Sequence, residues 1–280
     1  DDVMKTALIT GATDGIGKAT ASKLLSEGWE VVIVGRNPSK CAATVAELRA
    51  ANGSQAVSAI TADLSVMADV KGVAKTFLET HDRLDLLMLN ANAITQGRVL
   101  TVEGFESNFA LGHLGRALLT WQLQEVLETT PDAQVMTVVG LNVERPDFND
   151  LTMAQAFSAQ SALACWQWSA QVFTSEFNLR SRVPMNIYMP GLVKTKILAN
   201  EPQPRRLLVK TLTAVVGISA ERAARNVFSV MSQVTEKGAR GETYAWKRQR
   251  KPLDLKLQQG DQQRLWEVTA TCLAPFENPE

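Results

Sequence analysis

The segment from Lys5 to Asn37 constrains this chain more than any other. Thr6 to Thr10 is apolar and β-prone. It stops at a turn holding Gly11, Gly15 and Gly17, after which helix formers recur at helical spacing. A glycine turn lets backbone approach a pyrophosphate without a Cβ in the way, and the first turn of the following helix offers unpaired N–H groups and a positive dipole end to an anion. The spacing predicts a helix over Ile16 to Glu27, closed by Gly28, then a second buried strand, Val31 to Val34, running into Gly35-Arg36-Asn37. Strand, glycine turn, helix and strand form a βαβ unit suited to a dinucleotide.

The rest of the chain continues the alternation. Helices are expected over Ser39 to Ala51, Ala68 to Thr80 and Gln155 to Leu179, with two helical patterns in Thr101 to Thr129 broken near Gly112 to Gly115. Strands are expected at Ala56 to Ala62, Leu84 to Leu89, Val135 to Val139 and Met185 to Tyr188. Strands alternating with helices give a parallel sheet covered on both faces. At 280 residues the chain can bury a full core in one domain. No repeat or linker composition divides residues 1–280.

The glycine spacing, Thr10-Gly11-Ala12-Thr13-Asp14-Gly15-Ile16-Gly17, resembles the cofactor motif of the short-chain dehydrogenase/reductases. Asn90-Ala91-Asn92-Ala93 stands where that family has Asn-Asn-Ala-Gly, so Leu89 and Asn92 depart from it; Asn tolerates the positive φ that a glycine there would adopt. Pro190-Gly191-Leu192-Val193-Lys194-Thr195 matches the family's P-G-x-V-x-T. Gly104-Phe105-Glu106, His113-Leu114-Gly115 and Leu265-Trp266 look like the retinol-dehydrogenase branch.

The resemblance implies an α/β fold, a Rossmann-type doubly wound parallel sheet in a single domain, and cofactor contacts from Gly11, Thr13, Asp14, Gly15, Ile16 and Gly17 in the turn. It adds Asp63 and Leu64 beside the adenine, Asn90 and Ala91 after the fourth strand, and Pro190, Gly191, Val193 and Thr195 around the nicotinamide. Asp63 reads equally well as a helix cap. An acid usually ends the second strand where NAD is bound, whereas an arginine there receives a 2′-phosphate. Arg36, with Asn37 beside it and Lys18 or Lys40 in support, therefore points to NADP(H).

The family reduces carbonyls with a tyrosine whose acidity a lysine four residues on raises, a serine that holds the carbonyl and an asparagine that supports a water relay. Aligning Phe173-Thr174-Ser175-Glu176 with the branch's Phe-Thr-x-Glu puts Leu163 at the tyrosine and Gln167 at the lysine; Gly140 falls at the serine and Gly112 at the asparagine. Tyr188 and Tyr244 are the two tyrosines of the chain, and neither has a lysine four residues on; Tyr244 reads as a surface residue in a basic stretch. No catalytic residue is therefore assigned. Gln167 remains able to hydrogen-bond the nicotinamide ribose. Gly140, Asn142, Leu163 and Trp166 are expected to line an apolar pocket that Gly140 makes roomier, suited to a small apolar molecule. As substitutes for the acid, His113 reads better as a packed helix residue, Arg116 and Glu144 as solvated, Cys165 as a small core residue and His81 as part of a surface turn.

The 29 basic and 29 acidic residues cancel, which argues against nucleic acid. No apolar run reaches the ~18 residues a membrane span needs, and no metal-ligand spacing appears among the cysteines or histidines. Cys41, Cys165 and Cys272 are widely spaced, which fits free thiols and a cytoplasmic setting. The segment 196–218, with Pro202, Pro204, Arg205 and Arg206 before an apolar stretch, reads as a substrate-loop lid. Family members commonly dimerise through the helices at about Ser107–Leu127 and Gln155–Leu179, and Trp121, Trp166 and Trp168 add apolar area to a homodimer face there.

Overall fold

The computed structural model describes residues 3–191, 193 and 217–277. Eight strands make a single sheet in the order β3-β2-β1-β4-β5-β6-β7-β8, parallel through β7, with β8 antiparallel at the edge. They are β1 (Thr6–Thr10), β2 (Glu30–Gly35), β3 (Val57–Thr61), β4 (Leu86–Leu89), β5 (Gln134–Val138), β6 (Met185–Met189), β7 (Thr243–Ala245) and β8 (Arg248–Arg250). The order reverses between β1 and β4, and in open α/β sheets that switch point opens a crevice at the strands' carboxyl ends.

Helices α1 (Gly15–Ser26), α2 (Pro38–Asn52) and α3 (Met67–Leu78) fall where the spacing predicts them. The pattern broken near Gly112 is continuous in the fold. A short α4 (Ser107–Phe109) runs through a π-helical turn, Ala110–Leu114, into α5 (Gly115–Gln122) and then α6 (Gln124–Thr129). The wider π turn takes in Gly112 and passes at Gly115 into α5 without ending the helix. Helix α7 (Ala159–Arg180) starts four residues later than expected, because Asp150 accepts from Ala154 N and Gln155 N and holds that stretch in a turn, and Ser158 caps the helix.

Three elements escaped the pattern: the β7–β8 hairpin, α8 (Ala220–Lys237) and the last helix. The β7–β8 hairpin has strands of three residues, one of them the polar Arg248–Arg250, too short for alternation to register. Tyr244, expected at the surface, is 1% exposed, because β7 pairs with β6 and points it into the core between the sheet and α8. The last of the three is α9 (Asp261–Glu277), which packs on α5 and α7. Trp266 stacks on Phe173 at 5.5 Å and meets Trp121 at 5.2 Å, and Trp168 Nε1 donates to Leu255 O at 2.8 Å. The tryptophans expected on a dimer face are thus packed within their own chain.

Candidate active site

The glycine turn is held from the neighbouring strand end. Thr10 Oγ1 accepts from Asn90 N at 2.8 Å and Ala91 N at 3.0 Å, and Asn90 Nδ2 donates to Thr10 O and Gly11 O, both at 3.1 Å. The Asn90 side chain therefore shapes the turn. Gly11 has φ +65°, and a Cβ there would lie 2.7 Å from Ala91 Cα; one at Gly17 would lie 2.7 Å from Asn90 Nδ2. Neither position admits a side chain. Asn92, in contrast, is not among the residues with positive φ, so its replacement of glycine needs no left-handed backbone.

A cleft of about 150 Å³ results, lined by Gly11, Thr13, Arg36, Asp63, Leu64 and Ala91 together with their neighbours. Larger hollows of about 290 and 310 Å³ lie elsewhere, one around Lys5, Trp29 and Asp85, the other around Glu144, Asp150 and Cys165. A dinucleotide lies in an open groove across strand ends, so enclosed volume does not rank these sites. The cradle, with positions that a Cβ would fill, fits such a cofactor.

Arg36 Nη1 sits 3.6 Å from Asp63 Oδ2, and its side chain is 73% exposed. So loose a surface pair leaves the guanidinium available to an anion. Asp63 does not cap α3, whose N-cap is Val66; its Oδ1 accepts from Ser65 N and Ser65 Oγ in a local turn. Lys18 is paired with Glu47. Asn37 accepts from Lys40 N as the cap of α2, and Asp14 accepts from Gly15 N as the cap of α1. Pro190 is buried, Gly191 turns the chain at φ +72°, and Val193 bridges to Ile218. Thr195 and nearly all of the lid segment 196–218 lie outside the described residues.

The adjoining half of the site is filled rather than roomy. A Cβ on Gly140 would lie 2.6 Å from Gln167 Oε1, so the space that Gly140 vacates is taken by the Gln167 amide. Gln167 is 3% exposed and its Oε1 has no hydrogen-bond partner. A Cβ on Gly112 would run into the Trp166 indole, 2.7 Å from Cε3. Trp166 is 1% exposed, packed where a side chain at position 112 would lie, and its Nε1 is also without a partner. Leu163 is half-buried against the main core, and Asn142 is exposed on the loop after β5.

Arg116 corrects the expectation of a solvated side chain, being 6% exposed. Its Nη1 donates to Thr137 Oγ1 at 2.7 Å and Val138 O at 2.9 Å, its Nη2 to Ala91 O at 3.0 Å, and its guanidinium lies 4.9 Å from the centre of the Trp166 ring. Burial lowers its pKa to about 9. An arginine among Leu114, Ala117, Leu118 and Leu119 gave no cue of its own in the sequence; its place one helical turn after Gly112, on the face that meets α7, was the available signal.

Of the other residues weighed as acids, His113, Cys165, Tyr188 and Tyr244 are buried. His113 is buried, its Nε2 2.8 Å from Thr269 Oγ1 and its ring between Phe109 and Phe173; burial first, and then Arg116, lowers its pKa to about 3, so it is neutral. Cys165 is buried and its thiol is pushed up to about 12 by burial, with Glu144 and Glu106 adding to it. Glu144 is exposed. Tyr188 is fully buried, its hydroxyl donating to Ala223 O at 3.3 Å, and burial raises it to about 12. Tyr244 is raised by burial as well, and its hydroxyl has no partner. His81 is more than a surface turn, since its ring stacks on Phe77 at 4.5 Å. Among the described residues no cluster of three His, Cys, Asp or Glu could hold a metal, and no helix is long and apolar enough to cross a membrane.

This fold and cradle define a dinucleotide-binding α/β protein. A family model described as short chain dehydrogenase matches residues 5–206, and the chain belongs to that family, in its retinol-dehydrogenase-like branch. Human retinol dehydrogenase 13 is 29% identical over 199 residues, which are 69% of this chain and 60% of that protein. Human polyprenol dehydrogenase is 27% identical over 274 residues, 94% of this chain and 83% of that protein. Among solved structures, the alcohol dehydrogenase of the archaeon Thermococcus sibiricus complexed with 5-hydroxy-NADP superposes with a TM-score of 0.67 at 20% identity, over 90% of this chain and all of that one. A short-chain dehydrogenase/reductase of Burkholderia phymatum in complex with NAD gives 0.63 at 21% identity, over 82% of this chain and 86% of that one. The chain is therefore an oxidoreductase-family protein whose structural neighbours bind NAD or NADP.

Proposed function

We propose that this chain binds NADP(H) in the cleft at the switch point and lacks the general acid that ordinary carbonyl reduction requires. Gly11, Thr13, Gly15, Ile16 and Gly17 take the pyrophosphate, Arg36 the 2′-phosphate, Leu64 the adenine, and Ala91, Gly191 and Gln167 the nicotinamide ribose end. Bound there, the dinucleotide supplies hydride. The observation that carries the reading is the pairing of Gly140 with Gln167 and Gly112 with Trp166, which fills the two places where the family keeps its serine and asparagine. Hydride transfer, where it occurs, is confined to an activated acceptor such as an iminium ion, which needs no proton in the same step.

A second reading, a cofactor-loaded protein without catalysis, is favoured by the same filled space and by the buried Arg116 cation. A lid over the site at 196–218, a cytoplasmic setting and a single-domain organisation belong to this proposal as well. So does a homodimer, which would use a surface other than the faces of α5 and α7 that α9 covers. Calorimetry with NADPH and NADH tests the cofactor. A spectrophotometric panel of aldehydes, ketones and imines tests the chemistry. Ordinary rates on a simple ketone would overturn it, and turnover of imines alone would choose the first reading over the second.

A further inference from the structure

The chemistry proposed above leaves Arg116 unused. Its guanidinium leaves α5 and reaches the carboxyl ends of β4 and β5, where every partner is neutral: Thr137 Oγ1, Val138 O, Ala91 O and the face of Trp166. Nε is buried without a partner. Among the described residues no carboxylate pairs with it, and burial is the cause that moves its pKa. At about 9 that pKa still leaves the group charged at neutral pH. A buried charge is costly unless paired, and its field is poorly screened.

Ala91, whose carbonyl Arg116 holds, also lines the dinucleotide cleft and abuts Gly11. On the other side Trp166 precedes Gln167, whose amide fills the space at Gly140. The cation thus lies between the cofactor cleft and the hydride half of the site. A nicotinamide ring is neutral when reduced and carries a positive charge when oxidised. We propose that Arg116 is a specificity-determining residue that makes this cleft select the reduced dinucleotide, its uncompensated charge at the ends of β4 and β5 opposing the oxidised ring.

The inference rests on the NADP(H) reading and sharpens it. The same charge opposes an iminium acceptor, so it shifts weight toward a protein that retains NADPH over one that spends it.

Titration calorimetry of NADPH and NADP⁺ against the full chain, Arg116→Lys and Arg116→Met tests the proposal. The unaltered chain is expected to bind NADPH at least ~10-fold tighter than NADP⁺, Arg116→Lys to keep that ratio because it keeps the charge, and Arg116→Met to bring it within ~2-fold of unity. A general loss of structure would weaken both forms together and leave the ratio in place, so the ratio separates electrostatics from folding. Equal affinities in the unaltered chain, an unchanged ratio in a folded Arg116→Met or a lost ratio in a folded Arg116→Lys would each overturn it. Should Arg116→Met fail to fold by circular dichroism, the unaltered chain and Arg116→Lys decide. Failure of the unaltered chain to bind either form would overturn the NADP(H) reading together with this inference, whereas equal binding overturns the inference alone.

Discussion

The two halves of the cleft have been treated differently by this sequence. Around the glycine turn, Gly11, Gly17, Thr10 and Asn90 are locked by hydrogen bonds and by contacts that no side chain could replace, and the groove they leave is open. Around Gly112 and Gly140, glycines again mark the site, but large neighbours have moved into the room they leave. A glycine in the first half keeps space for a ligand; in the second it keeps space for Trp166 and Gln167. Glycine identity alone therefore does not say whether a pocket is empty.

The widest consequence of that difference is catalytic. A positioned general acid contributes typically ~10²–10⁴-fold, and a panel of simple aldehydes, ketones and secondary alcohols followed by NADPH absorbance should show rates lower than ordinary members of the family by at least that range. Leu163→Tyr or Gln167→Lys alone should not restore them, since Gly140 and Gly112 remain. Normal rates in the unaltered chain would break the contrast between the halves.

Next in size is the part of the acid response that His113, beside Gly112, contributes. His113 titrates at about 3 in the fold against an ordinary 6.5 when unfolded. Between those values the unfolded chain binds more protons, so stability is full above pH 6.5, falls as pH drops through that window by up to roughly 1.4 kcal/mol per unit, and levels off near 3. His113→Gln should flatten the slope over pH 4–6 in urea melts. A slope that survives the substitution would place the acid sensitivity elsewhere.

Restoring the family's asparagine gives a smaller, steric effect. Gly112→Asn drives a side chain into Trp166 and should cost about 1–3 kcal/mol, while the double change Gly112→Asn with Trp166→Ala, though less stable still, should cost less than the sum of the two single changes. Equal melting temperatures for Gly112→Asn and the unaltered chain would show that the halves are not packed as described.

The smallest effect belongs to the open half. Arg36→Ala should remove a preference for NADPH over NADH of at least ~10-fold, the worth of one charge-assisted hydrogen bond, without changing the melting temperature. An unaltered chain with equal affinities for the two would instead indicate that Asp63 neutralises Arg36.

What could be read from the residues in order was whatever repeats locally. The first six strands, the first three helices and the glycine turn follow from apolar β-prone runs, helical spacing and the special backbone of glycine, and each lies within a residue or two of its expected bounds, β3 and the ends of α3 included. His113 and Cys165 were legible as packed residues because their apolar neighbours share a helical face. The contents of the second half were not legible. Gly112 meets Trp166, Gly140 meets Gln167, His113 meets Thr269, and Arg116 reaches Ala91 and Val138, all across separations that carry no periodic signal. Burial of Arg116 and of Tyr244 is likewise decided by which element lies over them, α7 in one case and the β6–β7 pairing in the other. Local pattern records how each element prefers to be buried, and only the assembled tertiary structure decides what each buried face touches.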